Sequence, residues 1–200
     1  MDEPDFEGFR ALEYIFTPDA RNSGFVRIAE DGVLPFGLEN HHQNISKIEL
    51  NELVSRDVRN HFNNAKNLVL YSWFVYRFGS VAEHHAFVSF EFALRERLKG
   101  TFKDPSNPPG FKGLLQMAVD KGLLKNEKFT KWHIQVQQRK FQNQENKEMA
   151  EFIGYEYKPI LEDVDYLAIM MESFPNIRNF YTHGTADPFV PDSFHCQMQP

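Results

Sequence analysis

The chain has 200 residues and a mass of 23.4 kDa, enough for one domain with a sizeable core, or for one domain with an extension. Hydrophobic residues make up 42% and charged residues 25%, which argues against whole-chain disorder and against collagen-like or low-complexity architecture. The formal net charge of -6, with a pI near 5.8, argues against a general nucleic-acid-binding surface, because neutralising phosphates takes clustered Lys and Arg.

The aromatic content is lopsided: 20 Phe against 2 Trp and 7 Tyr. Phe carries large apolar area with no polar tip, so tight aromatic packing in a core is expected. The single cysteine, Cys196, excludes an intrachain disulfide framework and a cysteine-rich zinc site, and favours a reducing compartment such as the cytoplasm. Met1-Asp2-Glu3-Pro4-Asp5 is acidic with no apolar run behind it, so no secretory signal is expected. The most apolar stretch, residues 68–75, is far too short to span a bilayer and reads as core, so no membrane association is expected. Asn44-Ile45-Ser46 matches a glycosylation sequon, read here only as the start of a helix.

Residues 1–45 contain Pro4, Pro18, Pro35, Gly24, Gly32 and Gly37 and one strand-like run over 24–29, and are read as an irregular N-terminal extension. Ser46 with Glu49 forms a candidate capping box that predicts a first helix over about 47–63. The apolar stretch 64–78 follows. Ser80 with Glu83 forms a second candidate box, opening a helix to about Lys99 that should lie centrally. Pro105, Pro108 and Pro109 predict a loop over 103–110. Leu114, Leu115, Ala118 and Val119 predict a helix over 111–124 that stops near Gly122. Residues 126–152 are Gln-rich and read as a helix interrupted near 142–147. Pro159 is read as a first helical position for a helix to Phe174, and a last helix is placed from Pro175-Asn176, limited by Pro188 and Pro191. The sum is an all-α domain of four to six helices packed as a bundle over 46–200, with no internal repeat.

For chemistry, metal comes first. His41-His42 and His84-His85 are adjacent pairs whose rings point in different directions on a helix or strand, and no His-x-x-x-His or carboxylate-x-x-His spacing falls on a predicted helix, so neither a metal nor another cofactor is expected. There is no P-loop, no Gly-x-Ser-x-Gly elbow and no Gly-x-Gly-x-x-Gly turn. What remains is Arg178-Asn179-Phe180-Tyr181-Thr182-His183-Gly184, read as the start of a late helix. Attack of a ribose 2′-hydroxyl on phosphorus needs a group that titrates near neutrality, which His supplies, and a fixed cation for the crowded phosphoryl charge, which suits the planar fork of Arg. On an ideal helix Asn179 and His183 share a face while Arg178 and His183 are about 140° apart, so Arg178 must reach round or meet a partner from another subunit. The same spacing recurs at Arg56 and His61, read as a solvated helix face, so spacing alone singles out neither copy.

Over about residues 46–190 the sequence resembles the HEPN superfamily of small helical-bundle domains. The resemblance rests on Arg178-Asn179 and His183-Gly184, similar to that family's Arg-polar-x-x-x-His motif, and on Glu91 and Arg95, similar to the Glu-x-x-x-Lys/Arg element many members carry opposite it. It implies a HEPN-like bundle acting as a metal-independent endoribonuclease of a toxin or defence system, with its site formed between two motif copies of a homodimer. It implies His183 as general acid/base, Arg178 as phosphate clamp, Asn179 as the residue orienting His183, and Glu91 and Arg95 as supporting or RNA-contacting residues. An antitoxin or regulatory partner is implied with it. The alternative is a non-catalytic HEPN-like module that binds a nucleotide or a protein. Thr185 stands where members modified by a partner nucleotidyltransferase carry Tyr, so that regulation is not expected here.

The charge is unevenly distributed. Residues 1–76 carry net -5, residues 77–141 net +6 and residues 142–200 net -7. The basic middle, including Arg95, Arg97, Lys99, Lys103 and Lys112, is a candidate phosphate-facing surface within an acidic chain.

Overall fold

A computed structural model describes residues 7–30, 32–161 and 164–183, the last without its side chain. It is mostly helical. Among the described residues a two-stranded antiparallel sheet, β1 (Val26–Ala29) and β2 (Gly32–Pro35), precedes six α-helices: α1 (Leu38–Ser46), α2 (Arg56–Tyr71), α3 (Phe78–Leu98), α4 (Phe111–Asp120), α5 (Thr130–Ile153) and α6 (Tyr166–His183). The chain forms two compact units, residues 1–93 with 178–200, and residues 94–177.

In the first unit the N-terminal segment is tied down by polar groups. The strands pair with Val26 opposite Pro35 and Ala29 opposite Gly32, and Gly32, at φ +117°, takes a backbone conformation that a side chain would strain. Asp19 is fully buried, which a lone carboxylate could not tolerate. Its Oδ1 accepts from the Arg21 backbone N–H at 3.1 Å and from Arg21 Nε at 2.8 Å, and its Oδ2 accepts from Arg21 Nη2 at 2.9 Å. The Asp19 N–H donates to the Trp73 carbonyl at 3.0 Å, and Asn22 Nδ2 donates to the same oxygen at 2.8 Å. Arg10 Nη1 donates to the Thr17 carbonyl at 2.7 Å, and its Nη2 donates to the Phe74 carbonyl. The turn after α2 is therefore satisfied by side chains of the first 22 residues.

Ser46 does not open a helix. It is the last residue of α1, and its hydroxyl donates back to the Gln43 carbonyl at 2.9 Å. The backbone of residues 47–55 is held otherwise: Asn51 Oδ1 accepts from the Leu53 N–H at 2.9 Å, and Arg59 Nη2 donates to the carbonyls of Glu52 and Val54 at 2.9 and 3.1 Å. The helix expected over 47–63 is displaced to α2, where the Ser55 hydroxyl caps by accepting from the Val58 N–H at 3.3 Å. The expected extension likewise contains α1, whose Ile45 is buried, and α2 buries Val58 and Ala65. The second expected capping box is corrected too: α3 begins at Phe78, so Ser80 lies inside it.

In the second unit the buried residues include Leu94 and Leu98 of α3, Phe111, Leu114, Leu115 and Ala118 of α4, Ala150 of α5, and Val164 and Met170. Residues 102–110 are not helical, as their prolines require, and α4 ends in a turn with Gly122 at φ +65°. Helix α5 is continuous through 142–147, where an interruption was expected. Asn143 is buried on its inner side and binds the returning chain: Oδ1 accepts from the Ile160 N–H at 2.9 Å and from the Tyr157 hydroxyl, and Nδ2 donates to the Ile160 carbonyl at 2.8 Å. Both backbone groups of Ile160 are thereby used, so Pro159 opens no helix. Helix α6 starts instead at Tyr166, with Asp165 Oδ1 accepting from the Ala168 N–H at 3.0 Å, and it continues through Pro175 without a new start.

The bonds to Asp19 give a stability prediction. Burial raises the Asp19 carboxyl pKa, but the Arg21 hydrogen bonds and charge outweigh this and hold it below the ordinary 3.8. A depressed folded pKa contributes stability that is fully present above the ordinary value and is lost as pH falls through 3.8 toward the folded value. Asp19→Ala should cost about 3 kcal/mol in urea unfolding at pH 7, and its deficit against the wild type should narrow below pH 4. A deficit independent of pH would contradict the assignment.

Candidate functional site

The residues singled out around Arg178 meet others on two helices of the first unit. Glu91 lies on α3 and is only 9% exposed. A carboxylate so enclosed needs a charged partner, and Arg178 of α6 supplies it: Arg178 Nη2 donates to Glu91 Oε2 at 3.1 Å. Arg178 Nη1 donates to Asn179 Oδ1 at 3.2 Å. Arg178 Nε is shut off from solvent and has no hydrogen-bond partner among the described residues.

One turn on, the Tyr181 hydroxyl donates to Glu83 Oε2 at 2.5 Å. Burial and the neighbouring Glu83 raise the phenol pKa well beyond its usual range, so Tyr181 stays a neutral donor. Arg178 thus meets the later carboxylate of α3 and Tyr181 the earlier one, which sets the two segments antiparallel. His84 completes the cluster, its ring centroid 6.3 Å from that of Tyr181. Burial, then the charges of His85 and Arg178, lower the His84 pKa and favour the neutral imidazole.

Arg178 lies inside α6, not at the start of a late helix as expected, because α6 runs unbroken through Pro175. Inside a helix the backbone N–H groups are used by the helix itself, so any anion affinity here comes from side chains. His183 is the last described residue of α6, and its side chain lies outside the described residues. Asn179 is exposed and hydrogen-bonded to Arg178. Arg95 follows Glu91 by one turn of α3 and belongs to the second unit. The other Arg/His spacing builds no such cluster: Arg56 is exposed, and His61, also exposed, has its ring 5.5 Å from that of Phe92.

Glu83 was read only as part of a capping box, His84 only as half of an adjacent histidine pair and Tyr181 only as an unassigned position within the motif, so none was given a role at this site. The available signal was the position of Tyr181 three residues after Arg178, on a neighbouring part of the helix surface. Among the described residues no group of three His, Cys, Asp or Glu is placed to hold a metal ion, and the rings of His84 and His85 stand at 78° to each other. No described helix is long and apolar enough to cross a membrane. An open cleft of about 670 Å³ in the first unit, lined by Phe16, Leu38, His42, Tyr71 and Phe74 among others, shares no residue with the Arg178 cluster. In comparisons with known proteins, no family model, no curated protein and no solved structure matches the chain.

If Glu91 and Arg178 form one energetic unit, Glu91→Ala should lower unfolding stability by about 2 kcal/mol, because a partly enclosed guanidinium loses its counter-charge. Adding Arg178→Ala should then cost less than it does in the wild-type background. Strictly additive effects in denaturant titrations would show that the two side chains are not coupled.

Proposed function

We propose that the protein is a HEPN-like, metal-independent endoribonuclease of a toxin or defence system, acting on RNA at a site built around Arg178 and His183. The observation that carries this reading is the fixed guanidinium of Arg178, anchored on α3 by Glu91 with Asn179 beside it. A cation held in place before substrate arrives needs no reorganisation as charge develops on the phosphoryl oxygens, which is how electrostatic stabilisation of a transition state works. His183 serves as the acid/base. Because position 183 lies about 140° round the helix from position 178, the productive pair combines Arg178 and His183 from two copies of the chain, hence a homodimer. Arg95 and the basic stretch 77–141 guide the RNA, and an antitoxin or other regulatory partner restrains the activity.

A second reading is favoured by one specific feature: Glu91 already neutralises Arg178. In a non-catalytic module that binds a nucleotide or a protein, this pair serves packing alone.

Incubating the purified protein with mixed RNAs in EDTA separates the readings. The ribonuclease reading predicts cleavage that persists without divalent ions, weakens as salt rises, and is lost in His183→Ala while the fold and dimer remain. Cleavage that is equal in wild type and His183→Ala, or absent from both, would remove this assignment.

A further inference from the structure

Helix α5 has a second face, apolar and exposed among the described residues. Its buried residues, Asn143 and Ala150, mark the inner side, and residues 160–161 run along that side: Asn143 binds both backbone groups of Ile160, and Arg139 Nη1 donates to the Leu161 carbonyl at 2.7 Å. At about 100° per residue, Ile134, Phe141, Met149 and Phe152 fall within roughly 80° of one another on the opposite side. All four are exposed, Phe141 at 60% and Phe152 at 89%. A single exposed apolar residue needs no explanation, but four in line over about 27 Å of helix do. The charge along α5 is divided as well. Residues 130–141 carry Lys131, Arg139 and Lys140 and no carboxylate, whereas residues 142–153 carry Glu145, Glu148 and Glu151 against Lys147.

We propose that this face binds a second copy of the chain, the two α5 helices packing antiparallel about a two-fold axis that passes near Phe141. The charges select both the occupant and the direction. Glu145 and Glu148 are exposed, and helical spacing puts Glu145 within the apolar stripe and Glu148 at its edge. In a parallel pair each would meet its own counterpart, and the like charges would oppose association. In an antiparallel pair the acidic half of one helix lies along the basic half of the other, and Lys131 comes within about a turn of the partner's Glu148 and Glu151. Phe141, at the middle of α5, then packs against the partner's Phe141, with Ile134 level with the partner's Met149. Four such side chains on each copy bury on the order of 1,000 Å² in total, in the lower range for specific association. A membrane surface is the poorer match, since helices that lie on anionic lipid flank their apolar face with Lys and Arg, whereas Glu145 interrupts this one. The face belongs to the second unit and Arg178 to the first, so the proposal does not depend on the ribonuclease reading.

Sedimentation velocity of the full chain tests this. The wild type should be dimeric at about 50 µM. Phe141→Glu and Phe152→Glu should each weaken dimerisation by about tenfold or more, with the circular dichroism spectrum unchanged. Both positions are exposed, and if one variant fails to fold the other serves. Lys131→Glu should weaken dimerisation by about fivefold, and adding Glu148→Lys should restore it, because the exchanged charges still meet across an antiparallel pair. A monomeric wild type would overturn the proposal, whether the face is then filled by phosphatidylserine vesicles or by the chain's own residues 184–200. A dimer that both Phe variants leave intact would also overturn it, and a Lys131→Glu defect that Glu148→Lys does not repair would overturn the antiparallel pairing. A dimer lost through the α5 substitutions, in protein that cleaves no RNA, would contradict the ribonuclease reading and leave this one standing. RNA cleavage by protein whose association ignores those substitutions would do the reverse.

Discussion

Glu91 is the constraint on which the first unit's helix pairing turns. A carboxylate nine-tenths enclosed on α3 loses most of its hydration and must recover that free energy from a fixed cation. Arg178 supplies such a cation, so α6 has to run where its guanidinium can meet Oε2. Once that is fixed, the other contacts follow from helix geometry. Tyr181, one turn on, faces the region of Glu83, and His84 lies against the Tyr181 ring. The order of these pairs excludes a parallel arrangement of the two segments. The polar cluster at Asp19 plays a similar part for the N-terminal segment, where buried charge and amide groups decide how the chain passes the turn after α2.

The electrostatics of the site differ from those of a helix N-terminus that collects anions with backbone N–H groups. Position 178 lies inside α6, where the backbone N–H groups are used by the helix and none is offered to a phosphate. On the proposed reading, recognition of an anion depends on Arg178 and other side chains, not on the backbone. The chain carries net charge -6, its basic residues concentrate in residues 77–141, and Arg178 lies outside that stretch.

Much of the fold was legible where local signals had no rivals. The prolines at 105, 108 and 109 left residues 103–110 no helical option, and the face of Leu114, Leu115 and Ala118 marked α4, with its stop near Gly122. Errors arose where distant side chains took the backbone groups. Ser46 and Glu49 have the letters of a capping box, yet Arg59 and Asn51 hold residues 47–55 in another path, and Asn143 does the same at Ile160 after Pro159. Pro175 resembled a helix start because a proline is at ease there, but it is also tolerated within α6. In the site, Arg178 and Glu91 were both visible, as a motif and as a neighbouring element. That they bind each other was not, because the partners are 87 positions apart in the chain. His84 was visible only as half of an adjacent histidine pair and Tyr181 only as an unassigned position in the motif, and their meeting depends entirely on α3 meeting α6.

The central claim is that the guanidinium held by Glu91 is where a phosphate binds. It is tested most directly by nitrogen-15 NMR of the Arg178 Nε–H group during titration with a 2′-O-methyl RNA strand, with Arg178→Lys used to assign the signal. The account predicts that this resonance moves in a saturable way, and that added salt reverses the shift. A resonance that stays in place while RNA binds, with shifts confined to other arginines, would show that Arg178 serves only to neutralise Glu91.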